Sequence, residues 1–179
     1  MFLIGLTGRA GSGKDTAGQV LVRQLGFKRY AFADPIKKAL NAMFGWHMGM
    51  WENRDWKEGD LPGRTYSPRY LAQTLGTEWG RSIDPDFWIH VTESLIHRDT
   101  PSRAVITDVR FDNEAKWIQR QGGLVIEILR PDAAPVNQHA SELGVHPNLI
   151  DFTIVNDGRL SDFESQVLLE ITDKLRMAA

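Results

Sequence analysis

The stretch Phe2 to Thr16, FLIGLTGRAGSGKDT, joins an apolar run to a helix start through a glycine-rich turn. Phe2 to Leu6 reads as a short buried strand. Gly8, four intervening residues, Gly13 and Lys14 then reproduce the spacing of a phosphate-binding loop, and the strand before them is the context that motif requires. Gly8, Gly11 and Gly13 allow positive φ and close approach to a ligand, so successive N–H groups can turn inward around phosphate oxygens. Lys14 adds a mobile positive charge, and the helix expected from about Asp15 aims its unpaired N–H groups and positive dipole end at the same place. Gly8, Ala10, Gly11, Ser12, Gly13, Lys14, Asp15 and Thr16 together form the candidate nucleotide-phosphate site.

One residue departs from the usual pattern. Where Ser or Thr normally follows the lysine to ligate Mg²⁺, this chain has Asp15, and the hydroxyl comes one residue later at Thr16. A carboxylate repels phosphate unless it faces Mg²⁺, the ion's water shell or a basic side chain. Asp15 is read as an outer contact to metal or substrate, with a first-turn acid that merely suits the helix dipole as the alternative.

With 179 residues and 42% apolar content, the chain has enough material for one well-filled domain but little for a second independent core. A formal charge of −2 gives no general basic footprint, so nucleic acid is not an expected partner. The absence of cysteine excludes disulfides, thiolate metal sites and cysteine nucleophiles, and is compatible with a cytoplasmic protein. The apolar opening is too short to span a bilayer and has no leader-like flanks, so no membrane partner is expected.

After the loop, helical spacing of Ala17, Val20, Leu21 and Leu25 predicts a first helix over about Asp15 to Leu25, stopped by Gly26. Lys28 to Ala33 alternates as a second strand; Asp34 then suits the N-cap and Pro35 the first turn of a helix through Phe44. Asp34 would also lie at the carboxyl end of a strand, where open α/β sheets bind ligands. Residues 46–66, with Trp46, Trp51 and Trp56 among glycines and charges, read as an irregular excursion, either a substrate flap or a packed loop with tryptophan anchors.

Ser67 and Pro68 restart a helix with Leu71 and Leu75 as its inner stripe. Arg69 and Gln73 lie on a neighbouring stripe that continues to Gly76 and Gly80, which suggests an open shelf: a guanidinium fork for phosphate, an amide for a base edge. A solvated helix face is the competing reading. Asp84 and Pro85 begin a helix carrying Phe87, Trp88, Val91 and Leu95.

Ala104 to Val109 is a buried strand closing on Asp108, the position of a Mg²⁺-holding carboxylate in phosphate-loop enzymes, with an aspartate that only caps the next turn as the alternative and Arg110 next. Asp112 is the expected cap of a helix over Asn113 to Gln121, and Leu124 to Leu129 returns as a strand ending in Arg130. The polar segment 131–148 reads as lid-like and contains His139, Ser141 and Glu142. Phe152 to Val155 is the fifth strand, followed by the Asn156-Asp157-Gly158 turn and a helix for which Ser161 and Glu164 offer a capping box. Alternating strands and helices predict an α/β three-layer sandwich, a five-stranded parallel sheet covered on both faces. Its strand-end rim would collect Lys14, Asp34, Asp108, Arg110, Arg130 and Asn156. Lys14, Arg110 and Arg130 are the candidate catalytic cations around a migrating phosphoryl group.

Taken together, GRAGSGKDT, FADPIK, SPRYLAQTLGTEWGR with DPDFW, VITDVRFDNEA, HASE and IVNDG resemble the P-loop deoxynucleoside monophosphate kinases of bacteriophage type over nearly the whole chain. The resemblance implies one kinase domain over 1–179, with a substrate-binding insertion at 46–82. It implies ATP and Mg²⁺ as cofactors and transfer to a deoxynucleoside 5′-monophosphate in the cytoplasm, the host's if phage-encoded. It places Gly8 to Thr16 on ATP, Asn156 and Gly158 near the adenine, and Asp15, Thr16 and Asp108 at the metal. Asp34, Lys37, Arg69, Gln73, Trp79, Arg110, His139, Ser141 and Glu142 fall to the acceptor. A homodimer is left open. Animal-type phosphomevalonate kinases share a similar layout, and a non-catalytic nucleotide switch is a third reading.

Overall fold

Five strands, all parallel, form one sheet in the order β2-β3-β1-β4-β5: β1 (Phe2–Thr7), β2 (Lys28–Tyr30), β3 (Arg103–Ile106), β4 (Leu124–Leu129) and β5 (Phe152–Val155). The structure, a computed structural model, describes residues 1–132 and 144–177. It divides into two compact units, residues 1–31 with 96–179, and residues 32–95.

The sheet belongs to the first unit. Ile4 pairs with Val105 on one side and Leu124 on the other, so the central strand is hydrogen-bonded along both edges. Alternation along β1 then assigns its faces. Ile4 and Leu6 join Val105, Ile126, Ile128 and Ile154 under α1 (Lys14–Leu25) and α8 (Leu160–Met177), whose Ala17, Val20, Leu21, Phe163, Val167 and Ile171 complete one buried cluster. Each large aliphatic group so buried contributes roughly 1.5–3 kcal/mol. Gly5 faces the other way, where a side chain would collide with Ile118 of α7 (Asp112–Arg120) and with Val109. The expected parallel sheet with helices on both faces is therefore observed.

The short edge strand β2 is held by side chains as well as by its ladder. Tyr30 Oη donates to Asp99 Oδ2 at 3.1 Å, and Lys28 Nζ lies 3.0 Å from the same oxygen. Arg98 Nε pairs with Asp99 Oδ1 at 3.1 Å. The hydrogen bond from Lys28 draws the Asp99 carboxyl down to about 2, while burial beside that carboxylate pushes the Tyr30 hydroxyl up to about 12.

The second unit is helical: α2 (Ala33–Phe44), a 3₁₀ turn at Met48–Glu52, α3 (Arg54–Glu58), α4 (Pro68–Gln73), a π-helical stretch at Thr74–Gly80, α5 (Arg81–Ile83) and most of α6 (Phe87–Asp99). The tryptophan-rich segment is packed. Trp46, Trp51 and Trp56 meet edge to face with ring centroids 5.0–6.0 Å apart, Phe44 stacks on Trp46 at 4.5 Å, and Trp51 Nε1 donates to Asn41 at 2.9 Å. The rings pack against one another as the anchor reading expects.

Local starts differ from expectation in four places, one being α6, which begins at Phe87 and not at Asp84 and Pro85. α2 begins at Ala33, so Asp34 is a first-turn acid and not the cap; Pro35 is tolerated because first-turn N–H groups have no intrahelical acceptor. α7 begins at Asp112, which is thus inside the helix; its carboxylate accepts from His146 N at 2.8 Å. α8 begins at Leu160, so Ser161 lies within the helix, its hydroxyl donates to Asp162, and the expected capping box does not form.

Candidate active site

Strand β1 runs into the glycine loop and out through α1, whose N-cap is Gly13 with φ 107 and no side-chain cap. Two glycines are obligatory here. A Cβ at Gly8 (φ +127) would strike the Ile128 carbonyl oxygen, and one at Gly13 would fall 2.6 Å from Asn156 Nδ2 and 3.2 Å from the Phe163 ring. The loop's polar groups point to an anion. Ser12 is 1% exposed, and its Oγ has no hydrogen-bond partner among the described residues. Lys14 Nζ donates to the carbonyl oxygens of Gly8 at 2.6 Å and Arg9 at 2.7 Å, folding its ammonium over the loop. An uncapped helix start, a buried hydroxyl awaiting a partner and a lysine tip above them fit a phosphate chain. Asp15 is exposed and Thr16 half-buried at the first turn beyond.

The parallel sheet brings the segments after β3, β4 and β5 to the same edge as this loop. Asp108 and Arg110 follow β3, Arg130 follows β4, and Asn156 follows β5. β3 ends at Ile106, so Asp108 lies two residues past the strand, but Val109 N still donates to Leu6 O at 3.0 Å and ties that turn to the central strand. Asp108 and Arg110 are half-buried, and Arg130 is exposed. Among the described residues no three acids or histidines cluster as a preformed metal site. The Asn156 amide donates to the Ser12 carbonyl at 2.8 Å, so it is engaged with the loop. Gly158 has open space: a Cβ there would meet nothing nearer than Asp162 at 3.7 Å.

Sequence inspection missed Glu114. It is 4% exposed, and its Oε2 accepts the backbone N–H groups of Arg110 at 2.8 Å and Phe111 at 3.1 Å. A buried carboxylate thus fixes the backbone of the very turn that carries Arg110. The available signal is an acid at the third helical position, the reaching-back half of a capping box, two residues past Asp112, to which the sequence assigns the cap.

The second unit holds the other candidates. Ser67 caps α4 through Tyr70 N at 3.1 Å with Pro68 in the first turn, as the sequence indicates. Arg69 is 28% exposed and its Nη2 lies 3.3 Å from Glu58 Oε1, an oxygen that Arg54 Nε also approaches at 3.3 Å. Gln73 ends α4, half-buried. The expected continuation of this stripe as an open shelf fails. From Thr74 the helix widens to π, and Gly76 and Gly80 are buried because they pack against neighbours: a Cβ would lie 2.7 Å from Ile36 Cδ1 or 2.6 Å from Trp88 Nε1. Trp88 Nε1 donates to the Gly76 carbonyl at 2.7 Å, satisfying an acceptor in the widened turn. Trp79 is 50% exposed, with its edge against Phe87. Lys37 Nζ sits 6.0 Å from the Trp51 ring centroid, a cation over an aromatic face. Asp34 is half-buried. His139, Ser141 and Glu142 lie outside the described residues.

Comparison with known proteins gives this arrangement its relatives. The sequence model of the family described as deoxynucleotide monophosphate kinase matches residues 2–66 and 58–167. A protein of Acanthamoeba polyphaga mimivirus, provisionally named a deoxynucleotide monophosphate kinase, is 34% identical over 94% of this chain and 95% of its own. The deoxynucleoside-5′-monophosphate kinase of Escherichia phage T5 is 26% identical over 86% and 89%. The crystal structure of shikimate kinase from Aquifex aeolicus superposes with a TM-score of 0.55 at 14% identity, covering 97% of this chain and 98% of that one, which shows a shared fold. No helix among the described residues is long and apolar enough to cross a membrane. With a family model matching most of its length and a relative 34% identical over 94% of it, the chain belongs to the deoxynucleotide monophosphate kinase family.

Proposed function

We propose that the chain transfers the γ-phosphoryl group of ATP to the 5′-phosphate of a deoxynucleoside monophosphate, giving the diphosphate and ADP. The observation that carries this is the glycine loop, with its buried unpartnered Ser12 hydroxyl and its Lys14 tip resting on loop carbonyls, in a chain of this family. Family membership favours a nucleotide acceptor over phosphomevalonate and catalysis over a switch.

In the reaction an oxygen of the acceptor phosphate forms the new bond to the γ-phosphorus as the bond to the β,γ-bridging oxygen breaks, and ADP leaves with that electron pair. The acceptor is already anionic, so no general base is required. The protein's task is alignment and charge stabilisation. Loop N–H groups and the Ser12 hydroxyl hold the phosphate chain, and Lys14 leaves its resting carbonyls to contact the migrating group. Arg110, its backbone fixed by Glu114, and Arg130 supply further positive charge where it accumulates. Asp108, Thr16 and Asp15 are the residues that would hold Mg²⁺ or its waters, an ion that would neutralise negative charge on the phosphate chain. Arg69 offers its guanidinium to the acceptor phosphate and Gln73 its amide to the base, with Trp79, Asp34 and Lys37 as further candidate contacts on the second unit.

Turnover of ATP with Mg²⁺ against dTMP, dGMP, dCMP, dAMP, their ribose counterparts and phosphomevalonate, with the product identified directly, tests this reading. A deoxynucleoside diphosphate is the expected product. Turnover with phosphomevalonate alone would replace the acceptor, and no acceptor-dependent turnover would remove the reading.

A further inference from the structure

Asn156 joins three parts of the first unit. Its backbone N–H donates to Leu129 O at 2.7 Å, at the point where β4 gives way to Arg130. Its side-chain Nδ2 donates to the Ser12 carbonyl at 2.8 Å, although 144 residues separate the two in sequence. The same amide occupies the space that a side chain at position 13 would need, 2.6 Å from a Cβ built there. The glycine loop and the β5 turn are thus fitted to each other, through both a hydrogen bond and an excluded volume.

We propose that Asn156 is a positioning residue for the phosphate loop and acts through Ser12, not through the adenine. The peptide joining Ser12 to Gly13 is planar and trans, so its C=O and N–H point in opposite directions. Anchoring the Ser12 carbonyl on Asn156 turns the Gly13 N–H the other way, toward the anion, and keeps a carbonyl oxygen from facing phosphate. Tethering the backbone of Asn156 to Leu129 keeps this anchor in register with the sheet. The device sets the loop's shape before any nucleotide arrives, which lowers the ordering that binding must otherwise impose. The inference rests on the Gly8–Thr16 loop being a nucleotide-phosphate site.

The experiment measures equilibrium binding of ATP, GTP and inorganic tripolyphosphate, by calorimetry and without acceptor, to the wild-type chain, Asn156→Ala and Asn156→Asp. Asp keeps the size of Asn but presents oxygen to the Ser12 carbonyl, so it gives a second reading if the Ala variant folds poorly. Loss of one such hydrogen bond corresponds to about three- to tenfold weaker binding. The expected result is the same factor for all three ligands, an unchanged ATP-to-GTP ratio, a larger loss for Asp than for Ala, and an unaltered KM for the deoxynucleotide acceptor. Weaker ATP binding with tripolyphosphate unaffected would overturn the inference in favour of adenine contact, as would variants that bind every ligand as tightly as wild type. A wild-type chain that binds neither ATP nor tripolyphosphate would remove the phosphate-loop reading itself, an outcome distinguishable because it precedes any substitution.

Discussion

The two units carry their candidate residues in different ways. In residues 1–31 with 96–179 the site is made chiefly of backbone: glycines at positive φ, an uncapped helix start and turns at the ends of parallel strands. In residues 32–95 the candidates are side chains on helices, Asp34, Arg69, Gln73 and Trp79. A backbone site is specified by local sequence because the steric demand is local. A side-chain site on a helix depends on the helix's phase, and a widened turn at Thr74–Gly80 changes which residues share a face.

The contrast is broken most directly at Lys14. Lys14→Ala should lower kcat by roughly 10²–10³-fold or more, the scale for losing one pre-placed group that stabilises developing charge, with the melting curve little altered. Coupled measurement of ADP release checks it, and ordinary turnover would remove the loop from the mechanism. Arg69→Ala should raise KM for the acceptor by about 10- to 100-fold, the range for a charge-assisted hydrogen bond, while ATP affinity stays as it was. Steady-state kinetics with each substrate varied in turn decides, and equal losses for both would erase the division of labour between the units.

A third substitution sharpens the role of the glycines. Gly80→Ala should destabilise the chain by roughly 1–3 kcal/mol through the clash with Trp88, seen as a lower urea midpoint. A variant of normal stability but impaired acceptor binding would restore the open-shelf reading.

The smallest effect concerns the edge strand. Asp99 titrates at about 2 instead of 3.8 because Lys28 hydrogen-bonds its carboxylate, so its contribution to stability is present above 3.8 and lost as pH falls toward 2. Tyr30, raised from 10.0 to about 12 by burial and by Asp99, contributes below 10.0, and that contribution is lost as pH rises toward 12. Asp99→Asn should therefore unfold earlier than wild type at neutral pH, and the gap should close on acidification. Thermal melts across pH would show it, and a gap independent of pH would assign the loss to packing.

Much of this was legible in advance. The stretch Phe2–Thr16 announced a strand, a loop and a helix, and all three appear, with Gly26 stopping that helix in the left-handed conformation. Helix starts were less legible: Asp34, Asp112 and Ser161 each have cap chemistry, yet each lies just inside its helix. Capping residues advertise a local hydrogen bond, and packing of the following helix can move the start by a residue or two.

Sequence alone determined the strand, glycine turn and helix of the opening stretch and the alternating order of strand and helix, because glycine sterics and apolar periodicity act between near neighbours. Only the tertiary structure decided that Gly76 and Gly80 are packing surfaces, that Glu114 holds the Arg110 turn and that Asn156 holds Ser12. Two of those three are settled by partners distant in sequence: Trp88 and Ile36 against the glycines, and Ser12 against Asn156. The Glu114 bond is short in sequence, yet it becomes decisive only because its carboxylate is buried away from competing water.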